Sequence, residues 1–282
     1  MYYYINIGVR SMNIDKNVMS LINEFSNLDE VEGILLAGSH ATQTNDKESD
    51  YDIYIYTTNE IALSIRKEIT DKYFKYIELN NTFWEAEDDG VLADGDIQVE
   101  IIYRNFEWID GMLNRTLFEC QADVGYTTCF WSNLINSIIL YDKNDKLGNL
   151  QKKYKIDYPK ELKQNIVKKN YPLLKKQMPA YYYQIEKALK RNDFISVNHR
   201  VAAFLASYFD IIFAINEMPH PGEKKLLKII KDNNLRVPQD MDKNIEKILK
   251  SATDNSVNIL LEINELVNNL DTLLSNEEIN IK

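Results

Sequence analysis

Two short acidic and glycine-containing stretches carry the residue types that could do chemistry. Gly38-Ser39 is followed, ten residues later, by Asp50-Tyr51-Asp52-Ile53. If Asp50-Tyr51-Asp52 opens a strand, alternation of side chains puts Asp50 and Asp52 on one side. Two carboxylates so placed suit Mg²⁺, a hard ion that takes oxygen ligands and shares them with phosphates. A glycine turn beside them lets backbone N–H groups approach those phosphates closely. A third acid, Glu100, interrupts an apolar run as Val99-Glu100-Ile101. Gly-Ser alone commonly ends a strand, and an acidic pair alone is commonly solvated. The order and spacing of all three parts make the joint signal much stronger.

The elements that must position these residues follow from periodicity. Ile14, Val18, Leu21, Ile22 and Phe25 recur at helical spacing, which predicts a helix over residues 14–27 packed on a sheet. Residues 31–37 read as a strand ending at Gly38-Ser39, and the polar segment 39–49 as a helical turn plus loop. Residues 51–57 form the second strand, with Tyr51, Ile53 and Ile55 on one face and Asp52 and Tyr54 on the other. A second helix is expected over 59–76 from Ile61, Ile65, Ile69 and Tyr73. Residues 80–95, with Glu85, Glu87, Asp88 and Asp89, read as an acidic loop. Residues 96–103 alternate as a third strand, Ile97, Val99 and Ile101 against Asp96, Gln98 and Glu100. Glu100 thus shares the polar character of the face that carries Asp50 and Asp52. Helices are expected near 105–119 and 128–138, then an apolar run Ile138-Ile139-Leu140-Tyr141. Beyond about 145 the chain reads as consecutive helices broken near Pro159, Pro172, Pro179, Pro219–Gly222 and Pro238.

This pattern resembles the nucleotidyltransferase superfamily built on the DNA polymerase β-type palm: Gly-Ser, about ten residues, an acidic pair one residue apart, and a third carboxylate on a later strand. The resemblance covers residues 30–103 well and the rest loosely. It implies an α+β protein, with an N-terminal palm (a small mixed sheet with flanking helices, residues 1–142) and an all-helical, substrate-binding C-terminal domain (143–282). It further implies attack on the α-phosphorus of ATP or another nucleoside triphosphate, with loss of pyrophosphate. Asp50, Asp52 and Glu100 would be the catalytic and metal-binding residues, serving two Mg²⁺ ions in turnover. Glu100 would be a metal ligand, a general base on the acceptor hydroxyl, or both. Gly38 and Ser39 would contact the β- and γ-phosphates, Ser39 being equally suited to a plain helix N-cap. His40 beside them reads as an exposed loop residue. In related two-domain enzymes a lysine of the helical part reaches the phosphates, and Lys224 in Asn216–Lys225 is the match; its bland alternative is a surface lysine at a helix start.

The two-domain arrangement looks like that of aminoglycoside and lincosamide nucleotidyltransferases, which transfer AMP to an antibiotic hydroxyl. On that analogy the acceptor is a small molecule, and Glu85, Tyr183 and Asp210 are its candidate contacts. The bland readings are a solvated acidic loop and packing for at least two of Tyr181, Tyr182 and Tyr183, whereas Asp210, within an apolar helix, must pair with something if buried and is the better pocket candidate. A protein-adenylylating, antitoxin-like transferase is a second reading, although such proteins are usually much shorter. A degenerate palm that binds nucleotide without turnover is a third.

Composition bounds these readings. The chain has 282 residues, 45% hydrophobic and 11% aromatic, the values of a globular protein. Net charge is −10, unevenly spread. Residues 1–142 hold 9 basic and 25 acidic side chains; residues 143–191 hold 14 and 4. An acidic palm disfavours nucleic acid, whose phosphates need a basic surface. The apolar run Val201–Ile215 is broken by Asp210 and too short to span a bilayer. Two cysteines without zinc or redox spacing, and a start lacking a signal-peptide pattern, point to the cytoplasm.

Overall fold

The computed structural model describes residues 2–7, 10–42, 49–83 and 85–277, and for residues 2–7 and 10–13 the backbone alone. The chain divides into two compact units: residues 1–113 with 133–156, and residues 114–132 with 157–282. The sequence reading places one boundary near residue 143; the chain passes between units at 113/114, 132/133 and 156/157.

In the first unit, β1 (Tyr2–Ile7) and β2 (Arg10–Asp15) pair as an antiparallel hairpin. The Asp15 carboxylate then accepts from Asn17 N and caps α1 (Lys16–Ser26), which buries Val18, Leu21, Ile22 and Phe25. The main sheet contains β3 (Val31–Leu36), β4 (Tyr51–Thr57), β5 (Phe74–Asn81), β6 (Ala86–Leu92), β7 (Gln98–Asn105) and β8 (Ile138–Asp142). Its spatial order is β5-β6-β7-β4-β3-β8, with β4 and β7 parallel and every other neighbour antiparallel. Ile34, Leu36, Ile53, Ile55, Val99 and Ile101 fill one face together with α1. α3 (Leu63–Thr70) adds Ile69 to that core.

Several elements differ from the sequence expectation. The helix expected over 59–76 is only α3, and residues 74–81 turn back as β5. The expected acidic loop 80–95 contains β6, so β5 and β6 form a hairpin. β7 begins at Gln98, because Asp96 lies in the preceding turn with φ of 54°. The apolar run at 138–141 returns to the sheet as the outer strand β8, beside β3. The polar segment after Gly38 starts as a short helix, α2 (Gly38–Thr42), while its residues 43–48 lie outside those described.

The second unit is helical. α4 (Phe106–Leu117) and α5 (Cys129–Asn136) span the passages between units, and α6 (Lys146–Tyr154) closes the first. Then come α7 (Lys160–Tyr171), α8 (Tyr181–Lys190), α9 (Phe194–Ile215), α10 (Leu226–Asp232), α11 (Met241–Thr253) and α12 (Ile259–Asn276). Each expected proline break falls between helices or at a helix edge: Pro159 is the N-cap of α7, and Pro172 ends it. α9 is central, with Val201, Phe204, Tyr208, Ile211 and Ile215 in a core shared with α11 and α12. Among the described residues no helix is long and apolar enough to cross a membrane.

Candidate active site

Strand pairing assembles the acidic residues. β4 and β7 run parallel with Asp52 opposite Glu100, so both carboxylates leave the same face of the sheet. Asp50 lies one residue before β4. Oxygens of Asp50, Asp52 and Glu100 lie within 4.8 Å of one another, and all three side chains are half-buried. This donor set, all carboxylate oxygen in a small volume, fits a hard divalent cation.

Gly38 sits directly behind that group. Its φ of +59° is a left-handed conformation that L side chains adopt reluctantly. A Cβ placed on it would lie 2.6 Å from Asp52 Cγ and closer still to Oδ2. The glycine is therefore required twice, by backbone conformation and by contact with a carboxylate. Ser39 is the second residue of α2, and its Oγ is buried without a hydrogen-bond partner among the described residues.

His40 differs from the sequence reading. It is half-buried rather than exposed, and its ring stacks on Tyr51 at 4.0 Å with 13° between planes. Burial lowers its pKa, opposed by a hydrogen bond to the backbone of Ser49 and by the charge of Asp50. No sequence signal marks this role, since the contact depends on residues at the two ends of a connecting segment.

The same sheet face continues past Glu100. Asp89 of β6 is in register with Glu100, and Glu78 of β5 with Asp89. Glu78, Asp89, Glu100 and Asp52 thus form a row across four strands. Asp89 accepts from Asn81 Nδ2 at 2.8 Å. Asp88, one residue away, points to the other face, where it meets Arg66 at 3.3 Å, the Tyr103 hydroxyl at 2.8 Å and Asn80 N at 2.7 Å. Both oxygens of Glu85 accept from buried Arg104, at 2.8 and 2.6 Å. The Arg104 guanidinium lies 4.0 Å over the Tyr54 ring. Burial is the main cause that pushes the Tyr54 phenol up to about 12, with the nearby Asp52 charge adding to it. Glu85 therefore braces the sheet face that carries Asp52 and Glu100.

The remaining sequence candidates belong to the second unit. Asp210 on α9 is 1% exposed. Its carboxylate accepts from Thr127 N at 3.0 Å, Thr127 Oγ1 at 2.7 Å and Asn170 Nδ2 at 3.1 Å. Burial raises its pKa to about 7 against those hydrogen bonds. Tyr183 is exposed and meets Tyr182 edge-on, whereas Tyr181 and Tyr182 pack against the helical core. Lys224 is exposed in the turn before α10. Four residues earlier His220 is fully buried, and burial lowers its pKa to about 4.

Residues 19–104 match the family model described as "Polymerase beta, Nucleotidyltransferase". The first unit therefore carries a domain of the nucleotidyltransferase superfamily, the class that the mixed sheet and the carboxylate group define. Residues 130–226 match a second family model, described as a domain of unknown function (DUF4037). Among solved structures the chain is similar to a nucleotidyltransferase-like protein from Exiguobacterium sibiricum 255-15, with 12% identity, 93% of this chain and 74% of that chain covered. The TM-score of that likeness is 0.42. No curated protein matches the chain.

Proposed function

We propose that the protein transfers a nucleoside monophosphate, AMP from ATP, to a hydroxyl of a small-molecule acceptor with the help of Mg²⁺. The observation that carries this reading is the Asp50–Asp52–Glu100 group, three carboxylates converging beside a glycine turn within a nucleotidyltransferase domain. Asp50 and Asp52 would hold the cation against the triphosphate, and Glu100 would share in a second site. The bound cation supplies charge neutralisation on the phosphates and on the leaving pyrophosphate.

The chain's own part is positioning and proton transfer. Gly38 and Ser39 would present backbone N–H groups and a hydroxyl to the β- and γ-phosphates. The acceptor oxygen attacks the α-phosphorus in line, the bond to the β-phosphate oxygen breaks, and pyrophosphate leaves. The hydroxyl proton goes to Glu100 in its role as general base. Lys224 is assigned to the phosphates, and Glu85, Tyr183 and Asp210 remain the proposed acceptor contacts. For Glu85 and Asp210 the role would act through the groups they hold, Arg104 and the Thr127 segment respectively. The free thiols of Cys120 and Cys129 support a reducing compartment, the cytoplasm.

The test is pyrophosphate release from each nucleoside triphosphate with Mg²⁺, screened against aminoglycosides, lincosamides and a cell lysate, with Asp52→Asn as control. Release that requires one small acceptor and disappears in the variant supports the proposal. Release only with lysate protein would replace the small-molecule acceptor by a protein. Nucleotide binding without release under every condition would overturn turnover altogether.

A further inference from the structure

Asp50 is the least supported member of the carboxylate group. Ladder pairing of β4 with β7 begins at Tyr51, so no strand pairing of its own fixes residue 50. Its two chain neighbours flank it on either side, and one side chain touches both. The His40 ring lies flat on Tyr51, 4.0 Å between centroids, and hydrogen-bonds to the backbone of Ser49. The other ring nitrogen, Nε2, is buried without a hydrogen-bond partner among the described residues, and the bond to Ser49 orients the ring. Tyr51 is itself anchored: it is buried, and its hydroxyl accepts from Asp15 N at 3.3 Å. His40 also belongs to α2, the short helix that begins at Gly38, whose missing side chain makes room for Asp52.

We infer that His40 is a positioning residue for Asp50. Its ring clamps Ser49 and Tyr51 on either side of that carboxylate and thereby ties the glycine turn to the acidic pair. His40 does not join the carboxylates as a ligand, because the cluster of oxygens within 4.8 Å comprises Asp50, Asp52 and Glu100 without it. Its action is that of an outer residue which orients a ligand, and loss of such a partner typically weakens metal affinity by roughly 10- to 100-fold. The stack and the hydrogen bond contribute separately, so a ring without a donor should retain part of the effect.

This inference rests on the proposed metal site, and the experiment separates the two. Mn²⁺ binding to the whole protein is titrated by electron paramagnetic resonance, without nucleotide or turnover, for wild type, Asp52→Asn, His40→Ala and His40→Phe, with a thermal melt of each. The expected result is binding by wild type, its loss in Asp52→Asn, about a tenfold weaker affinity in His40→Ala, and an intermediate affinity in His40→Phe. Wild-type affinity in a folded His40→Ala overturns the inference and leaves the metal site standing. Should His40→Ala fail to fold, His40→Phe decides alone, and wild-type affinity there also overturns it. Absence of Mn²⁺ binding in wild type would overturn the metal site itself, and with it this role for His40.

Discussion

Replacing Gly38 by alanine tests the geometry of the site at one methyl group. The added Cβ would stand 2.6 Å from Asp52 Cγ and 3.3 Å from Asp52 Cβ, whereas ordinary carbon–carbon contact is about 3.5–4.0 Å. Something must therefore yield by about 1 Å, and the carboxylate is the movable partner because Asp52's backbone is held between β3 and β7. Ala37 N donates to Asp52 O at 2.9 Å, and Asp52 pairs with Glu100. The left-handed backbone of residue 38 adds a conformational cost of about 1–2 kcal/mol for any L side chain. Displacing a reacting group by about 1 Å costs on the order of 100-fold in rate. Gly38→Ala should thus lower pyrophosphate release by about two orders of magnitude while the melting temperature falls by only a few degrees. Gly111→Ala is the matched control: Gly111 is exposed on α4 with nothing within 4 Å of an added Cβ. That change should leave turnover intact and stabilise the helix by up to about 1 kcal/mol. A Gly38→Ala protein with turnover within about threefold of wild type would refute the argument that this glycine sets the position of Asp52.

Three further outcomes follow. Asp52→Asn and Glu100→Gln should each abolish turnover with circular dichroism and melting close to wild type, and near-normal activity in either would remove that residue from the mechanism. Glu85→Ala leaves the buried Arg104 guanidinium without its carboxylate and should destabilise the first unit by about 3 kcal/mol in urea denaturation; a loss below about 0.5 kcal/mol would mean that the other partners of Arg104, among them Asn133 Oδ1 at 3.1 Å and the Tyr54 ring, suffice to hold it. In the second unit, Asp210 and His220 should give pH slopes of opposite sign. The folded pKa of Asp210 is raised to about 7, so its proton is bound more tightly when folded, and stability is lost as pH rises from about 4 to 7. The folded pKa of His220 is lowered to about 4, so stability is lost as pH falls from about 6.5 to 4. Each effect is worth roughly 3–4 kcal/mol at most, and the two nearly cancel between pH 4 and 6.5. Between pH 4 and 6.5, Asp210→Asn should therefore unmask a loss of stability on acidification relative to wild type, and His220→Gln a gain; identical pH profiles for wild type and both variants would contradict the burial argument.

Much of the acidic face that carries Asp52 and Glu100 is legible in the sequence because alternation in a strand is local information. Val99-Glu100-Ile101 and Tyr51-Asp52-Ile53 each display one acid against apolar neighbours, and that suffices to predict which face each acid takes. That Asp52 stands opposite Glu100 is a long-range register, visible only once β4 and β7 pair. The β5–β6 hairpin escapes the same reading because its strands are rich in charge. Asp88 is buried on β6 since Arg66, Tyr103 and Asn80 satisfy it, and none of these partners is marked by spacing. Likewise the run Phe74–Asn81 lacks a strict apolar alternation because β5 is the outer strand of the sheet. His40 and Gly38 act through contacts with Tyr51 and Asp52, more than ten positions away, so their types are readable and their partners are not. In the helical part, prolines locate the breaks well because a proline cannot continue the backbone hydrogen bonding of a helix.

The route of the chain has a consequence for anyone who would take the protein apart. It passes between the two units three times, at 113/114, 132/133 and 156/157. No single cut liberates either unit whole: cleavage after residue 113 strands β8 with the helical fragment, and cleavage after 156 leaves residues 114–132, with the Thr127 that Asp210 binds, on the other piece. A nicked protein should keep both fragments together through the β3–β8 ladder or the Asp210–Thr127–Asn170 hydrogen bonds. Truncations made to isolate a catalytic half would lose an outer strand or leave a buried carboxylate bereft of its donors, and their inactivity would say nothing about chemistry.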